Sequence, residues 1–524
     1  MTTKRPGRTQ KIACDSTPLS ASQPDIDARV GWLLAMSRLH HPDETHQDGR
    51  RFAEALGDTG TPVSRSLLSR WESGEIPISY EAMTGYEQVL GLPVGQISSI
   101  TGYIRASIPA VRARVVRPKL DPKSAAFADR LDDLIDIAEH GPVLARDWQE
   151  LGWHLAAAPM VHLRRGTWEI LAQRLIGQLP RSIKVCYRQL STAAMNMAAV
   201  PRAQDFMAEA IAQYTSVPGV QVITSPVGLL DRLPTRQAAR LVLEIIDRPE
   251  NGLTYGTGIW LATQKIIRGD FDQAERTQLD MLILKAWRRN PQQAGADLAE
   301  LIAELPPGMR ATLVQAADKA GRRKLGYVVT HGEEILAAKA EQFSAELADG
   351  ARARAPQEPA YDEDQMLPRL IREALFHRDS ERRHLAAMLI ATSPFDSGVT
   401  DERLVRLAGG SYPDWMRARF ATLVRYLSAD THRMRMLTLV DDPSDEVAAP
   451  AIQGLGHLTL NAMSDLAVRN SLGPVWSHRE RAKMYALGMT GSPGLQAIAK
   501  STDAADWQKA AARWWIDQGS AIRE

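Results

Sequence analysis

The sequence predicts an all-α protein in which a small helical domain near the N-terminus is followed by a long helical body. Three observations carry this. Apolar residues recur at three- and four-residue intervals, as in DARVGWLLAMSRL (27–39) and RQAARLVLEIID (236–247). Past Pro118 the chain is dominated by Ala, Leu, Arg, Glu and Gln, cut at intervals by Pro, Gly or Asp-Pro. Alternating β-branched residues, which would mark strands, are scarce. At 524 residues the chain is several times the usual domain size, so two or three units are expected.

The segment 1–24 reads as a disordered basic tail, because Lys4, Arg5, Arg8 and Lys11 face a single acid, Asp15, before a Ser/Pro-rich stretch. Residues 25–103 form the compact domain. Its first helix carries Val30, Leu33, Leu34 and Met36 at helical spacing, and its second carries Phe52, Ala53 and Leu56. Ser64 is placed to cap a third helix, RSLLSRWES, which Gly74 ends. A fourth offers Met83, Tyr86, Val89 and Leu90 for burial.

Residues 104–125 are expected as a basic linker, since Arg105, Arg112, Arg114, Arg117 and Lys119 occur there with no acid from 105 to 119. Residues 126–347 read as a helical domain without a clean period, and 348–365, rich in Ala, Gly, Pro and charge, as a linker or exposed loop. In the stretch 366–524, polar turns followed by amphipathic helices begin near 378, 412, 442, 477 and 504. This pattern resembles HEAT-type α-solenoid repeats, which implies helix pairs that bury their apolar faces against neighbouring pairs.

Composition narrows the function. With 44% apolar and 24% charged residues the chain has a soluble globular balance, and no run approaches a membrane span. Two cysteines leave no disulfide framework, so a reducing, cytoplasmic setting is expected. A net charge of +1 means that any attraction to nucleic acid must come from local patches.

The stretch from Phe52 to Leu92 is the most informative. Phe52-Ala53-Glu54-Ala55-Leu56-Gly57, then Ser64 through Gly74 with its Ser-Arg-Trp-Glu-x-Gly, then Leu90-Gly91-Leu92 resemble the lambda-repressor/XRE family of helix-turn-helix proteins. The resemblance implies a sequence-specific DNA-binding transcriptional regulator whose third helix enters the major groove of double-stranded DNA. By position, Arg65, Ser66, Ser69 and Arg70 would meet base edges, and Arg50, Arg51 and Ser64 phosphates. Leu67, Leu68 and Trp71 fall on the opposite, inward face, and Glu72 is expected to be structural. The basic stretch with Arg112, Arg114, Arg117 and Lys119 is expected to act as a DNA arm.

Two copies on adjacent half-sites would raise affinity, so a homodimer is expected, and the body would bind a protein or small-molecule effector. The loop His40-His41-Pro42-Asp43-Glu44-Thr45-His46 reads as a polar connection and not a metal site. No phosphate-cradling, hydrolase-elbow or zincin motif occurs, so neither an enzyme nor a cofactor is expected. Two other readings stand beside this one: a protein-interaction scaffold tethered to DNA, and a HEAT-like DNA glycosylase using Arg369, Arg372, Arg382, Arg383 and Arg417 as a basic surface.

Overall fold

The computed structural model describes residues 10–21, 23–108, 117–248, 252–289, 299–316, 319–355, 359, 361, 363–408, 412–427, 429–458, 468 and 471–523. Among them the protein is all-α, with no strand and two isolated bridges, Gln10 with Tyr361 and Ser182 with Ile522. None of the described helices is long and apolar enough to cross a membrane.

The N-terminal helices are α1 (Ile26–Leu39), α2 (Gly49–Asp58), α3 (Arg65–Glu72), α4 (Tyr80–Val89) and α5 (Gln96–Ser107). There follow α6 (Ala125–His140), α7 (Ala145–Ala157), α8 (Arg165–Gln178), α9 (Lys184–Ala198), α10 (Gln204–Ser216), α11 (Thr224–Gly228), α12 (Arg236–Asp247), α13 (Gly252–Arg268), α14 (Gln273–Arg289), α15 (Ala299–Glu304), α16 (Pro307–Ala316) and α17 (Lys319–His331). The next group is α18 (Ala337–Arg352), α19 (Met366–Phe376), α20 (Ser380–Ile390), α21 (Asp396–Ala408), α22 (Asp414–Leu427), α23 (Arg433–Leu437) and α24 (Asp445–Gly456). The last three are α25 (His478–Met489), α26 (Gly494–Lys500) and α27 (Asp506–Gln518).

Two compact units result, neither continuous in sequence. One comprises Met1–Pro118, Ile335–His377 and Glu381–Val468; the other comprises Lys119–Glu334, Arg378–Ser380 and Arg469–Glu524. This grouping departs from the linear division expected above. The stretch 366–524 is shared between the units, and 348–352, expected as loop, completes α18. Residues 104–107, expected as linker, complete α5 with Ile104 and Arg105 buried.

The first unit is organised around α1, which is buried on almost every side. One side meets α3 and α5. Another meets the later helices of the unit: Trp32 is fully buried, stacks on Phe395 at 6.1 Å and donates from Nε1 to Asp364 at 3.0 Å. His40 packs edge-on to Phe395 and lies 3.2 Å from the Tyr361 hydroxyl. A helix enclosed on nearly every side must pair its charged residues inside the fold, as α1 does with Arg29 and Arg38.

Residues 10–21, expected as part of a disordered tail, form a strap along these helices, with Ile12, Ala13 and Asp15 buried. Asp15 Oδ1 accepts from the backbone N–H and hydroxyl of Thr17, while Asp15 Oδ2 pairs with Arg29 at 2.7 Å. Arg29 also pairs with Glu373 at 2.5 Å, and Arg369 and Arg382 close on the same carboxylate at 3.4 and 3.0 Å. The Thr17, Leu19 and Ala21 carbonyls accept from Arg369, His377 and Arg382. Charge pairing and main-chain hydrogen bonds, which leave no hydrophobic period in sequence, hold the strap. The basic residues Lys4, Arg5 and Arg8 lie outside the described residues.

In the second unit helices pack on their next-but-one neighbours: α6 on α8, α7 on α9, α8 on α10, α10 on α12 and α12 on α14. Gly152 lets α7 lie against the backbone of Ala193 in α9, where a Cβ would come within 2.9 Å. The C-terminal helices close this unit, with Trp514 and Trp515 buried beside Tyr214 and Tyr485.

Candidate nucleic-acid interface

The third helix is short and sharply bounded. Ser64 caps it by accepting from the Leu67 N–H at 3.1 Å, and Gly74, at φ +72°, ends it. The Glu75 N–H then returns to the Arg70 carbonyl at 3.0 Å. Eight residues give a rod of about 12 Å, similar to the width of a DNA major groove.

One face of α3 is fixed to the domain. Leu68, Trp71 and Glu72 are buried, and Leu67 is half-buried. At its end α3 touches α1 backbone to backbone: a Cβ on Gly31 would lie 2.7 Å from the Gly74 nitrogen and the Trp71 carbonyl. Only glycine permits that approach.

Beneath α3 lies a buried polar knot. Arg38 donates to both oxygens of Glu72, from Nε at 2.6 Å and from Nη2 at 2.8 Å. Its Nη1 donates to the His46 and Gln47 carbonyls, which fixes the loop before α2. Tyr86 donates its hydroxyl to Glu72, and Gln10 of the strap bonds to Glu72 and Arg38 together. Burial opposes the Arg38 charge, yet Glu72 outweighs it and holds the guanidinium above its ordinary pKa. Burial, then the Glu72 charge, push the Tyr86 phenol well above its usual value, so it remains a donor.

The other face of α3 is exposed and polar. Arg65, Ser66, Ser69 and Arg70 all lie on it. Arg70 is paired in this structure with Glu75 at 2.8 Å, both side chains roughly half exposed. At the start of α2, Asp48 caps the helix through the Arg50 and Arg51 N–H groups, which hold its carboxyl below the usual range. Arg50 and Arg51 are exposed, with Arg50 near Glu54 at 4.0 Å. Two helix N-termini, at Ser64 and Asp48, thus bring N–H groups and arginines to the surface of one small domain.

The remaining sequence candidates are placed differently. Arg105 is buried and paired with Asp27, so it belongs to the core and not to an arm. Arg112 and Arg114 lie outside the described residues; Arg117 and Lys119 are exposed, on either side of the division between units. His41 of the histidine loop lies 3.2 Å from the Leu90 carbonyl and packs on His46, while Asp43 caps a short 3-10 turn. Of the arginines considered for a basic surface, Arg369 and Arg382 converge on Glu373, Arg372 pairs with Glu341, Arg417 with Asp442, and Arg383 donates to the His377 carbonyl. Each is engaged by an acid or a carbonyl of the first unit.

Sequence reasoning missed Gln10, Gly31, Arg38 and Glu87. The last is buried and caps α5 by accepting from the Gly95, Ile97 and Ser98 N–H groups at 2.7–2.8 Å. A charged residue inside an otherwise apolar stripe, as Arg38 is in α1, was the available signal. No family model matches the chain, and no curated protein is found to be similar to it.

Proposed function

We propose that this protein is a sequence-specific regulator of transcription that binds double-stranded DNA through a lambda-repressor/XRE-type helix-turn-helix formed by α2 and α3. The observation that carries the reading is the division of α3 into two faces. Arg65, Ser66, Ser69 and Arg70 are exposed on a helix whose other side is anchored by Gly31, Arg38 and Glu72. A reading helix must be rigid to discriminate bases, and this anchoring supplies rigidity.

In the complex, α3 lies in the major groove. Arg65 and Arg70 reach guanine edges, Ser66 and Ser69 make the shorter polar contacts, and Arg50, Arg51 and the Ser64 cap hold phosphates. Arg117, in the same unit as α3, extends the phosphate track, and two copies bind half-sites one helical turn apart as a homodimer. The remaining helices form a solenoid-like body that takes an effector or partner, and the protein works at the nucleoid in the cytoplasm.

Selection of bound sequences from random duplexes tests this with the full chain. A recurrent motif, palindromic for a dimer, is expected, and Arg65→Ala is expected to relax it at one position at a cost of about 1–3 kcal/mol. Arg51→Ala should weaken all duplexes alike and lower the salt slope by about one. Recovery of no motif at moderate ionic strength would remove the regulator reading and leave a tethered scaffold.

A further inference from the structure

We propose that the first unit contains a buried oxyanion-binding site built on Arg403, which takes the carboxylate or phosphate group of a small molecule. Arg403 lies on α21 and is fully buried. Its Nε, Nη1 and Nη2 have no hydrogen-bond partner among the described residues. The guanidinium lies over the Phe420 ring of α22 at 5.8 Å. The neighbouring charge that acts on it is that of Arg406, of like sign; burial first, and Arg406 second, bring its pKa down to about 9.

Arg406, one turn along, shows what a satisfied arginine looks like in the same place. It donates to the Tyr412 hydroxyl at 2.8 Å, lies near Glu346 and Glu402, and covers the Phe343 ring at 5.0 Å. Phe343 and Phe420 stack at 5.5 Å, so two guanidinia bracket one aromatic pair while only one of them has its counter-charges. Beside Phe343, the buried Ser344 hydroxyl on α18 also has no partner among the described residues. Helices α18 and α21 face each other in opposite directions, with Gly398 against Ala351 and Arg406 near Glu346. Arg403 therefore falls between the levels of Gly350 and Glu346, about one turn from Ser344.

Five N–H donors in a low-dielectric interior are costly to leave unmet, and a single ring contact returns only part of that cost. At pH 7 the group is still protonated, so it needs an acceptor with negative charge. The planar fork of arginine matches the paired oxygens of a carboxylate or phosphate, and a serine hydroxyl is a common additional donor to either. This site stands apart from the DNA reading, and its test uses no DNA.

The full chain is titrated calorimetrically, and its thermal unfolding followed, with sodium phosphate, acetate, sulfate and chloride at matched ionic strength. Phosphate or acetate is expected to bind and to raise the unfolding temperature beyond chloride. Whichever of the two acts identifies the head group. Arg403→Leu should weaken that binding roughly thirtyfold or more, and Arg403→Lys, which keeps charge but loses the fork, should weaken it less. Equal effects of all four salts, a preference for chloride, or an Arg403→Leu protein that retains the increment would each overturn the proposal. Should Arg403→Leu not fold, the absence of phosphate and acetate binding to the unaltered protein at millimolar concentration decides against it.

Discussion

Arg38 and Arg70 each meet a carboxylate at nearly the same distance, Glu72 at 2.6 Å and Glu75 at 2.8 Å, and the two acids are three residues apart. Their surroundings differ completely: the first pair is 1% and 3% exposed, the second 47% and 60%. A buried arginine whose acid is removed keeps its desolvation cost and loses its compensation, whereas an exposed pair exchanges its partner for water at little expense. Contact distance is therefore a poor guide to what a pair does. The pairs around α1 hold the domain in shape, and those on α3 and α2 stand in solvent, where water can replace the carboxylate.

Removing the centre of the buried set should have the largest effect. Glu373 faces Arg29, Arg369 and Arg382, and although burial opposes its charge, Arg29 and Arg382 hold its carboxyl far below the usual range. Glu373→Ala leaves Arg29 and Arg369 with Asp15 and takes away the carboxylate that Arg382 meets, and a loss of about 3–5 kcal/mol is expected in denaturant unfolding of the full chain. A loss under about 1 kcal/mol would mean that this cluster is as replaceable as the exposed pairs. Next is Gly31→Ala, whose methyl would meet the backbone of Trp71 and Gly74 at 2.7 Å. Both contacts are main chain and cannot swing aside, so about 1–3 kcal/mol is expected, together with a weaker DNA complex because α3 must shift. Unchanged unfolding would show that α1 and α3 can separate without cost.

The same contrast explains what could be read from the sequence. Caps and glycine stops are local, so Ser64, Gly74 and the limits of α3 were legible, as were the inward faces of α2 and α4 except for Val89, which is half-buried. The strap was not. Its placement depends on Asp15 and the carbonyls of residues 17 and 21 meeting arginines on α1, α19 and α20, and on the Leu19 carbonyl meeting His377, and a basic, Ser/Pro-rich composition says nothing of such distant partners. Arg105 was misleading for the same reason, since Asp27, its partner, lies four helices earlier. In the second unit the helix starts at 125, 165, 204, 236 and 273 advance by 32–40 residues, a spacing set by which helix packs on which and hidden by variable turns.

A smaller effect, seen as a slope, should come from His384 on α20, which is half-buried and lies 3.0 Å from the Tyr103 hydroxyl of α5. Burial, and then the charge of Arg425, bring its pKa down to about 3 from the ordinary 6.5. Between those values the unfolded chain binds a proton that the folded chain does not, so stability falls as pH falls. Over pH 6 to 5 the slope attributable to this residue approaches one proton, about 1.4 kcal/mol per pH unit. His384→Gln should flatten the curve there by that amount, and equal slopes for the two proteins would mean that the imidazole is charged or hydrated in the fold.

The smallest expected change is the one that separates exposed from buried pairing most cleanly. Glu75→Ala removes the partner of Arg70 at the end of α3 without touching the Glu72 knot. Stability should move by less than about 0.5 kcal/mol, because solvent replaces the lost carboxylate. Duplex affinity should rise, by roughly two- to fivefold, since Arg70 no longer divides itself between Glu75 and DNA and one repelling charge has gone from the interface. A marked loss of stability would place Arg70 in the frame with Arg38. Unaltered or weakened DNA binding would mean that Arg70 keeps its distance from the bases, and Arg65 would then be the only arginine left on the reading face.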